Sequence, residues 1–294
     1  MLQCSIPLIR ALMILGVLNA DGAVTTRSIG RGGTVVYIID DFMGAAAAND
    51  VRDRALSECA FSWAQHAYPG FCCRNSISRG LAATYSHLSN QHIGQRQGNG
   101  SRLSFDGRDS FFGVVANRSR LNCATAPHID FHGVTRYAAV HYLYNVENES
   151  SPSGGTAFFR DRSTGIERFH SSTQCESLID EGVTGGICER AGDQAAAIPF
   201  MNRENPWYEV LAIVSPKFDR LVLYPANLIH GAWLDHAAVS RFLANMDGAG
   251  NLIERPSALA ERAREGRLTF NLFGKLTVEL RVPDSPHGNN GGEL

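Results

Sequence analysis

From about residue 102 the chain offers few stretches long enough for a helix and instead supplies short apolar runs divided by Gly, Pro, Asn and Ser. This texture constrains the fold more than any other feature. The runs are Ser110–Val115, Tyr137–Tyr144, Gly155–Phe159, Trp207–Val214, Arg220–Tyr224, Arg267–Phe273 and Leu276–Val282. Short runs rich in β-branched and aromatic residues, each bounded by turn residues, predict antiparallel strands closed into a β-sandwich or barrel. Ahead of them, Thr34–Asp40 predicts another strand, and Ser62–Gly80 reads as loop with short elements. Ala45–Ala60, capped by Asp41, and Leu81–His92 predict helices. No repeat or clean linker divides the chain. The expectation is a mainly β, α+β protein with one domain over 1–283, comprising an α-rich portion over 1–100 and a β core over 101–283. A Gly/Asn-rich tail over 284–294 is expected to be disordered. Two polar segments, 162–205 and 237–266, look inserted, and the first is placed to cover a site.

Of the 294 residues, 44% are hydrophobic and 19% charged, which suffices for a sizeable core. Net charge is -2 without a run of one sign, which argues against nucleic acid and anionic membrane surfaces as partners. The seven cysteines are odd in number and include no Cys-x-x-Cys, so no disulfide framework is expected and a reducing compartment, the cytoplasm, is indicated. Neighbouring Cys72 and Cys73 read as one buried and one part-exposed thiol. The apolar stretch Ile6–Leu18 has no basic residue before it, is interrupted by Arg10, and is too short to span a bilayer. A packed N-terminal helix or extended arm is the expectation there, rather than a signal peptide.

His128 and Asp130 stand two residues apart, so on an extended segment both side chains point the same way and can reach one cation. His230 follows the apolar run ending at Tyr224 and a Pro-Ala-Asn turn, a rim position from which it can supply a third ligand. Two imidazoles and one carboxylate leave positions open on the metal, the set associated with non-haem ferrous oxygenases. A His-x-Asp pair alone recurs by chance, and a satisfied turn or core histidine is the ordinary alternative for His128. His132 also creates an Asp130-x-His132 alternative, with a role beside the metal or at the surface as its other reading.

Five blocks in order resemble the Fe(II)/2-oxoglutarate dioxygenase superfamily, in its prolyl-hydroxylase-like branch. They are His128-x-Asp130, Ala138–Leu143, Gly154–Phe158, Leu221–Pro225 with His230, and Arg267–Phe273. The opening Val35–Phe42 and the later Tyr68-Pro-Gly70 further resemble a little-characterised bacterial group within that branch. The core resemblance covers about residues 105–280. It implies a double-stranded β-helix, or jelly-roll, core with flanking helices. It implies Fe(II) held by His128, Asp130 and His230, with 2-oxoglutarate as co-substrate and dioxygen as oxidant. Arg267 matches the residue that grips the distal carboxylate of 2-oxoglutarate, a task suited to a planar guanidinium. Thr269 and Tyr142 match co-substrate contacts. Their other readings are a surface strand residue for Arg267, a packed β-branched residue for Thr269 and a core aromatic for Tyr142. The spacing from His230 to Arg267 is longer than in prolyl hydroxylases, which requires 237–266 to be an insertion; Arg241 is the competitor at shorter spacing but lacks a following strand pattern. Halogenating relatives replace the ligand carboxylate with a small residue, and Asp130 is present here.

The resemblance implies oxidation of an aliphatic C–H, by hydroxylation or by ring closure such as cyclopropane formation. The expected substrate is a small molecule, an amino acid or a derivative in specialised metabolism. Arg79, His92, Arg160 and Arg168 are candidates to bind a substrate carboxylate, each with simple solvation as the alternative. Rival readings are a jelly-roll module that binds a metal or ligand without turnover, and a cupin-type metalloenzyme that uses no keto acid. No His-Glu-x-x-His supports a zinc hydrolase.

Overall fold

Two antiparallel sheets face each other, and helices cover the outside of the larger one. The computed structural model describes residues 22–63, 70–74, 76–97, 101–115, 127–130, 137–144, 154–169, 207–233 and 267–278. In chain order its elements begin with β1 (Ala23–Ile29), β2 (Thr34–Asp40), α1 (Ala45–Glu58), β3 (Ser62–Trp63), β4 (Gly70–Cys73) and α2 (Ser76–Gln97). There follow β5 (Ser101–Phe105), β6 (Phe111–Val115), β7 (Tyr137–Tyr142), β8 (Gly155–Asp161), β9 (Tyr208–Val214), β10 (Arg220–Pro225), β11 (His230–Trp233) and β12 (Leu268–Val278). The larger sheet runs β1-β2-β10-β7-β12-β6-β4-β3, with β5 also pairing β12, and the smaller runs β11-β8-β9. His128 extends the smaller sheet through a single antiparallel bridge to His230. From β6 onward the chain therefore passes large, small, large, small, small, large, small, large. This alternation is a double-stranded β-helix, the expected jelly roll.

Several expectations differ in detail. The strands read as Arg267–Phe273 and Leu276–Val282 are one strand, β12, through its described end at Val278; its first part pairs β7 and β6 and its second part pairs β5. Gly274 sits at that exchange, where an added Cβ would meet the Ser104 carbonyl oxygen at 2.5 Å. Strands β1, β5 and β11 are additional to those expected, and the short β3 and β4 lie in the segment read as loop with short elements. Asp41 does not cap α1: it turns the chain at φ 50, and the helix begins after Gly44 without a side-chain cap. The turn instead delivers Phe42 and Met43 to the core, at 0% and 1% exposure. Cys73 is paired with Cys59 in a disulfide that ties the end of α1 to β4, against the expectation of free thiols. Its neighbour Cys72 is buried, and burial pushes its thiol up to about 12. The expectations for Ile6–Leu18, 237–266, the 284–294 tail, His132 and Arg241 lie outside the described residues, as does most of 162–205. Among the described residues no helix is long and apolar enough to cross a membrane.

Strand register sorts the side chains. Paired residues share a face and neighbours in sequence alternate, so β7 sends Tyr142 between the sheets and His141 toward the helices. On the helix side, Cys73, Phe112, Phe270, His141, Leu221 and Ile39 form one transverse row. Phe112 stacks on Phe270 at 4.5 Å, and Phe270 meets Tyr85 of α2 edge-on at 5.0 Å.

Within this apolar layer sits a buried polar hub. His141 Nε2 lies 3.0 Å from Asp219 Oδ1 and its Nδ1 lies 2.7 Å from the Tyr85 hydroxyl, with all three residues at 0–1% exposure. Burial, and then the Asp219 carboxylate, push the Tyr85 phenol well above its ordinary value. The phenol therefore keeps its proton and donates to Nδ1, while Nε2–H donates to the carboxylate. Asp219 Oδ1 also accepts from Met43 N at 3.2 Å, the Asp219 carbonyl accepts from Phe42 N at 2.9 Å, and Asp219 N donates to the Tyr142 carbonyl at 3.0 Å. One residue thus joins β7, the entry to α1 and, through His141, α2. Asp219→Ala should cost about 3 kcal/mol in denaturant unfolding, because it strands buried donors. Asp219→Asn should cost less, since Asn keeps an acceptor and tolerates the positive φ of 59.

Candidate metal centre

The small sheet brings the first site together. His128 and His230 face each other across the bridge, exchanging backbone hydrogen bonds of 2.8 and 2.9 Å, and their rings lie 4.6 Å apart. Asp130, two residues on, is anchored by its N–H to the Ala226 carbonyl at 2.8 Å, which keeps the segment extended and turns its carboxylate to the same side. Asp130 Oδ2 is 3.0 Å from His230 Nε2, and Oδ1 is 3.8 Å from His128 Nε2. One ligand atom from each residue falls within 4.8 Å of the others. Octahedral ligands at about 2.1 Å from a cation stand about 3 Å apart, so a small inward adjustment of His128 completes a facial set. His230 Nδ1 donates to the Leu228 carbonyl at 2.8 Å, which leaves Nε2 bare as a ligand atom. His230 is buried, while the His128 side chain is 40% exposed, so the set opens on one side.

The opposite wall is the inner face of the large sheet. Cys72, Gly113, Thr269, Tyr142 and Arg220 form one inward row across paired strands. Arg267 precedes β12 at 3% exposure; its Nε donates to the Gly154 carbonyl at 2.6 Å, and its guanidinium lies 5.9 Å from the Tyr142 ring centre. Tyr142 shares a 2.7 Å hydrogen bond with Thr156 of the small sheet, which pins the two sheets together beside the arginine. Burial pushes the Tyr142 phenol up, while Arg267 and Thr156 act in the other direction. Gly154 adopts φ 87, and a Cβ there would lie 2.2 Å from the Tyr144 hydroxyl, so the residue orienting Arg267 has no room for a side chain.

The six residues singled out by sequence therefore line one inter-sheet space: His128, Asp130 and His230 on the small-sheet side, Tyr142, Arg267 and Thr269 on the other. Of the substrate-carboxylate candidates, His92 and Arg160 are engaged by protein groups. His92 Nε2 donates to the Phe42 carbonyl at 2.9 Å behind the large sheet. Arg160 is bound by Glu167, whose carboxylate also accepts from Arg31 N at the β1–β2 turn, and by Glu209. Arg168 bridges Leu228, and nothing is described of the Arg79 side chain.

Sequence reasoning missed three inward residues. Asn271 Nδ2 donates to Thr269 Oγ1 at 3.1 Å, which directs the threonine's own hydroxyl proton to another acceptor. Thr156 holds Tyr142. Tyr224 packs its ring 4.5 Å from that of His230 and 5.4 Å from that of Phe158. Burial, and then the Asp130 carboxylate, push the Tyr224 phenol well above its ordinary value. The available signal was register: each lies an even number of residues from an inward neighbour, namely Thr269, Phe158 or Val222.

Residues 20–242 match a family of unknown function (DUF6445), and the chain belongs to that family. No curated protein matches the sequence. Solved structures with similarity include a prolyl hydroxylase from Trichoplax adhaerens in complex with a hypoxia inducible factor peptide fragment, at 13% identity and TM-score 0.40 over 82% of this chain and 83% of that one. A Pseudomonas putida prolyl-4-hydroxylase is similar at 10% identity and TM-score 0.36, over 92% and 98% of the two chains. HygX from Streptomyces hygroscopicus, with nickel and 2-oxoglutarate bound, is similar at 12% identity and TM-score 0.40, over 82% and 83%.

Removing either His230 or Asp130 should weaken divalent-metal binding at least about a hundredfold, since two ligands cannot replace three. Thr269→Val should leave it unchanged. Anaerobic calorimetry with Fe(II) or Mn(II) distinguishes the two.

Proposed function

We propose that the chain is a non-haem Fe(II)/2-oxoglutarate-dependent oxygenase acting on an aliphatic C–H bond of a small molecule. The observation that carries this reading is the pairing of two half-sites in one inter-sheet space. A His-Asp-His set with a bare imidazole nitrogen faces a buried guanidinium flanked by two hydroxyls. The donor set suits a ferrous ion, because nitrogen and oxygen ligands from three residues occupy one side and leave the other open. The buried cation and hydroxyls suit a carboxylate held away from the metal. Together, iron and 2-oxoglutarate supply the activation of dioxygen needed to oxidise an unactivated C–H.

The protein's own residues then have separate tasks. Arg267, aimed by its bond to the Gly154 carbonyl, grips the distal carboxylate, and Thr269 donates to it. Tyr142 and Thr156 close the end of the space and exclude water there. His128, Asp130 and His230 would hold the metal, leaving its remaining positions for co-substrate and dioxygen. Asp130 occupies the position a halide would need, which favours oxygenation over halogenation.

The substrate we assign is an amino acid or a derivative in specialised metabolism, hydroxylated or closed to a ring such as cyclopropane. The near-neutral charge of the chain, -2 without a basic run, supports a small molecule over nucleic acid. Anaerobic Fe(II) titration of protein loaded with 2-oxoglutarate should give a weak visible charge-transfer band. The band should vanish in His128→Ala and weaken in Arg267→Ala, and aerobic turnover should release succinate. Metal binding without the band would favour a non-catalytic binding module or a cupin-type enzyme.

A further inference from the structure

We infer that Tyr224 is a further positioning residue of this site, its hydroxyl donating a hydrogen bond to the bound keto acid between Arg267 and the metal. The inference rests on the oxygenase reading. Tyr224 faces inward from β10: it pairs with Ala138 on β7, four residues before Tyr142 on the same face, and Ala138 pairs with Phe273 on β12. Its partner on its own sheet, Ala138, is small and offers no polar side chain.

The ring is fixed from two sides. His230 lies 4.5 Å away and Phe158 meets it edge-on at 5.4 Å, both from the small sheet. A ring held in this way has little freedom to move its hydroxyl. The side chain is 2% exposed, and among the described residues its hydroxyl makes no hydrogen bond. The contact with His230 sets this ring at the metal end of the inter-sheet space, and Tyr142, four residues along the same inward face from Ala138, sets the Arg267 guanidinium 5.9 Å from its own ring centre. A five-carbon keto diacid reaching from metal to guanidinium has to pass along this inward face. A phenol without an acceptor in the protein is free to donate to a ligand rich in carboxylate and carbonyl oxygens. Phenylalanine would fill the same volume against His230 and Phe158. The hydroxyl is therefore the part of this side chain that packing leaves unexplained.

The test is Tyr224→Phe, which removes one oxygen and keeps the ring. Anaerobic calorimetry on the Mn(II)-loaded full chain should show 2-oxoglutarate binding weakened roughly tenfold. Mn(II) affinity and the melting temperature of the metal-free protein should be unchanged or slightly raised. A merely structural hydroxyl would instead lower the melting temperature and leave ligand affinity alone, and that result overturns the inference. Arg267→Met serves as the reference. If wild type binds 2-oxoglutarate and Arg267→Met does not, while Tyr224→Phe binds as wild type does, the Tyr224 assignment fails and the oxygenase reading stands. If wild type itself does not bind 2-oxoglutarate, both fall.

Discussion

The structure depends on a buried carboxylate behind the large sheet. Asp219 is 1% exposed, and a charge so placed is costly unless donors meet it. Met43 N and His141 Nε2 both donate to its Oδ1, while its backbone pairs with Phe42 N and the Tyr142 carbonyl. These partners come from the turn before α1 and from β7, so one residue fixes the relation of β7, the start of α1 and, through the His141 bond to Tyr85, α2. Apolar packing on this face is less specific, because phenylalanines can slide; the hub has one arrangement in which its hydrogen bonds close. The consequence reaches the other face. Tyr142 follows His141 in sequence, and a strand that cannot shift register cannot move Tyr142 out of the inter-sheet space.

The metal-ligand geometry has a separate origin. Only one bridge, His128 to His230, joins the His128 segment to the small sheet among the described residues, but both its hydrogen bonds are made. A directly opposed antiparallel pair brings two imidazoles to the same side at ring contact, and the period of two adds Asp130. The Ala226 carbonyl and the Leu228 carbonyl then set the carboxylate segment and the His230 tautomer. These are backbone acceptors, so the ligands are oriented by the fold itself and survive changes in neighbouring side chains.

Much of this was legible in the sequence for a physical reason. Periodicity of two is written into a strand, so His128-x-Asp130 and Arg267-x-Thr269 mark shared faces by spacing alone. The layered β architecture followed from the count and spacing of apolar runs, and its jelly-roll order from the resemblance those runs carry. What escaped depends on partners distant in sequence. Tyr85, His141 and Asp219 are unremarkable singly, and only pairing across 56 and 78 residues makes them a unit. Cys59 and Cys73 meet because α1 ends beside β4, which no spacing rule states. β1, with its run Ala-Val-Thr-Thr-Arg-Ser-Ile, is largely exposed at the sheet edge and carries no apolar stripe to betray it. Asp41 shows the opposite failure: local capping preference lost to the need to turn Phe42 and Met43 inward.

The two faces of β7 and β12 divide labour according to what each leaves unsatisfied. On the helix side, His141, Phe270 and Leu221 are matched by other protein groups, hydrogen bond for hydrogen bond and ring against ring. On the inner side, Arg267, Thr269 and Tyr142 gather donors in one place: Arg267 gives a hydrogen bond to the Gly154 carbonyl and Tyr142 shares one with Thr156. Asn271 adds to this: by donating to Thr269 Oγ1 it leaves that hydroxyl's proton for a different acceptor. Donors gathered in a buried space are costly unless acceptors meet them, and the keto acid proposed above would bring several oxygens to them. Holding them in place calls for a rigid opposite face. The hub at Asp219 supplies the rigidity, one residue out of phase with the donors it supports.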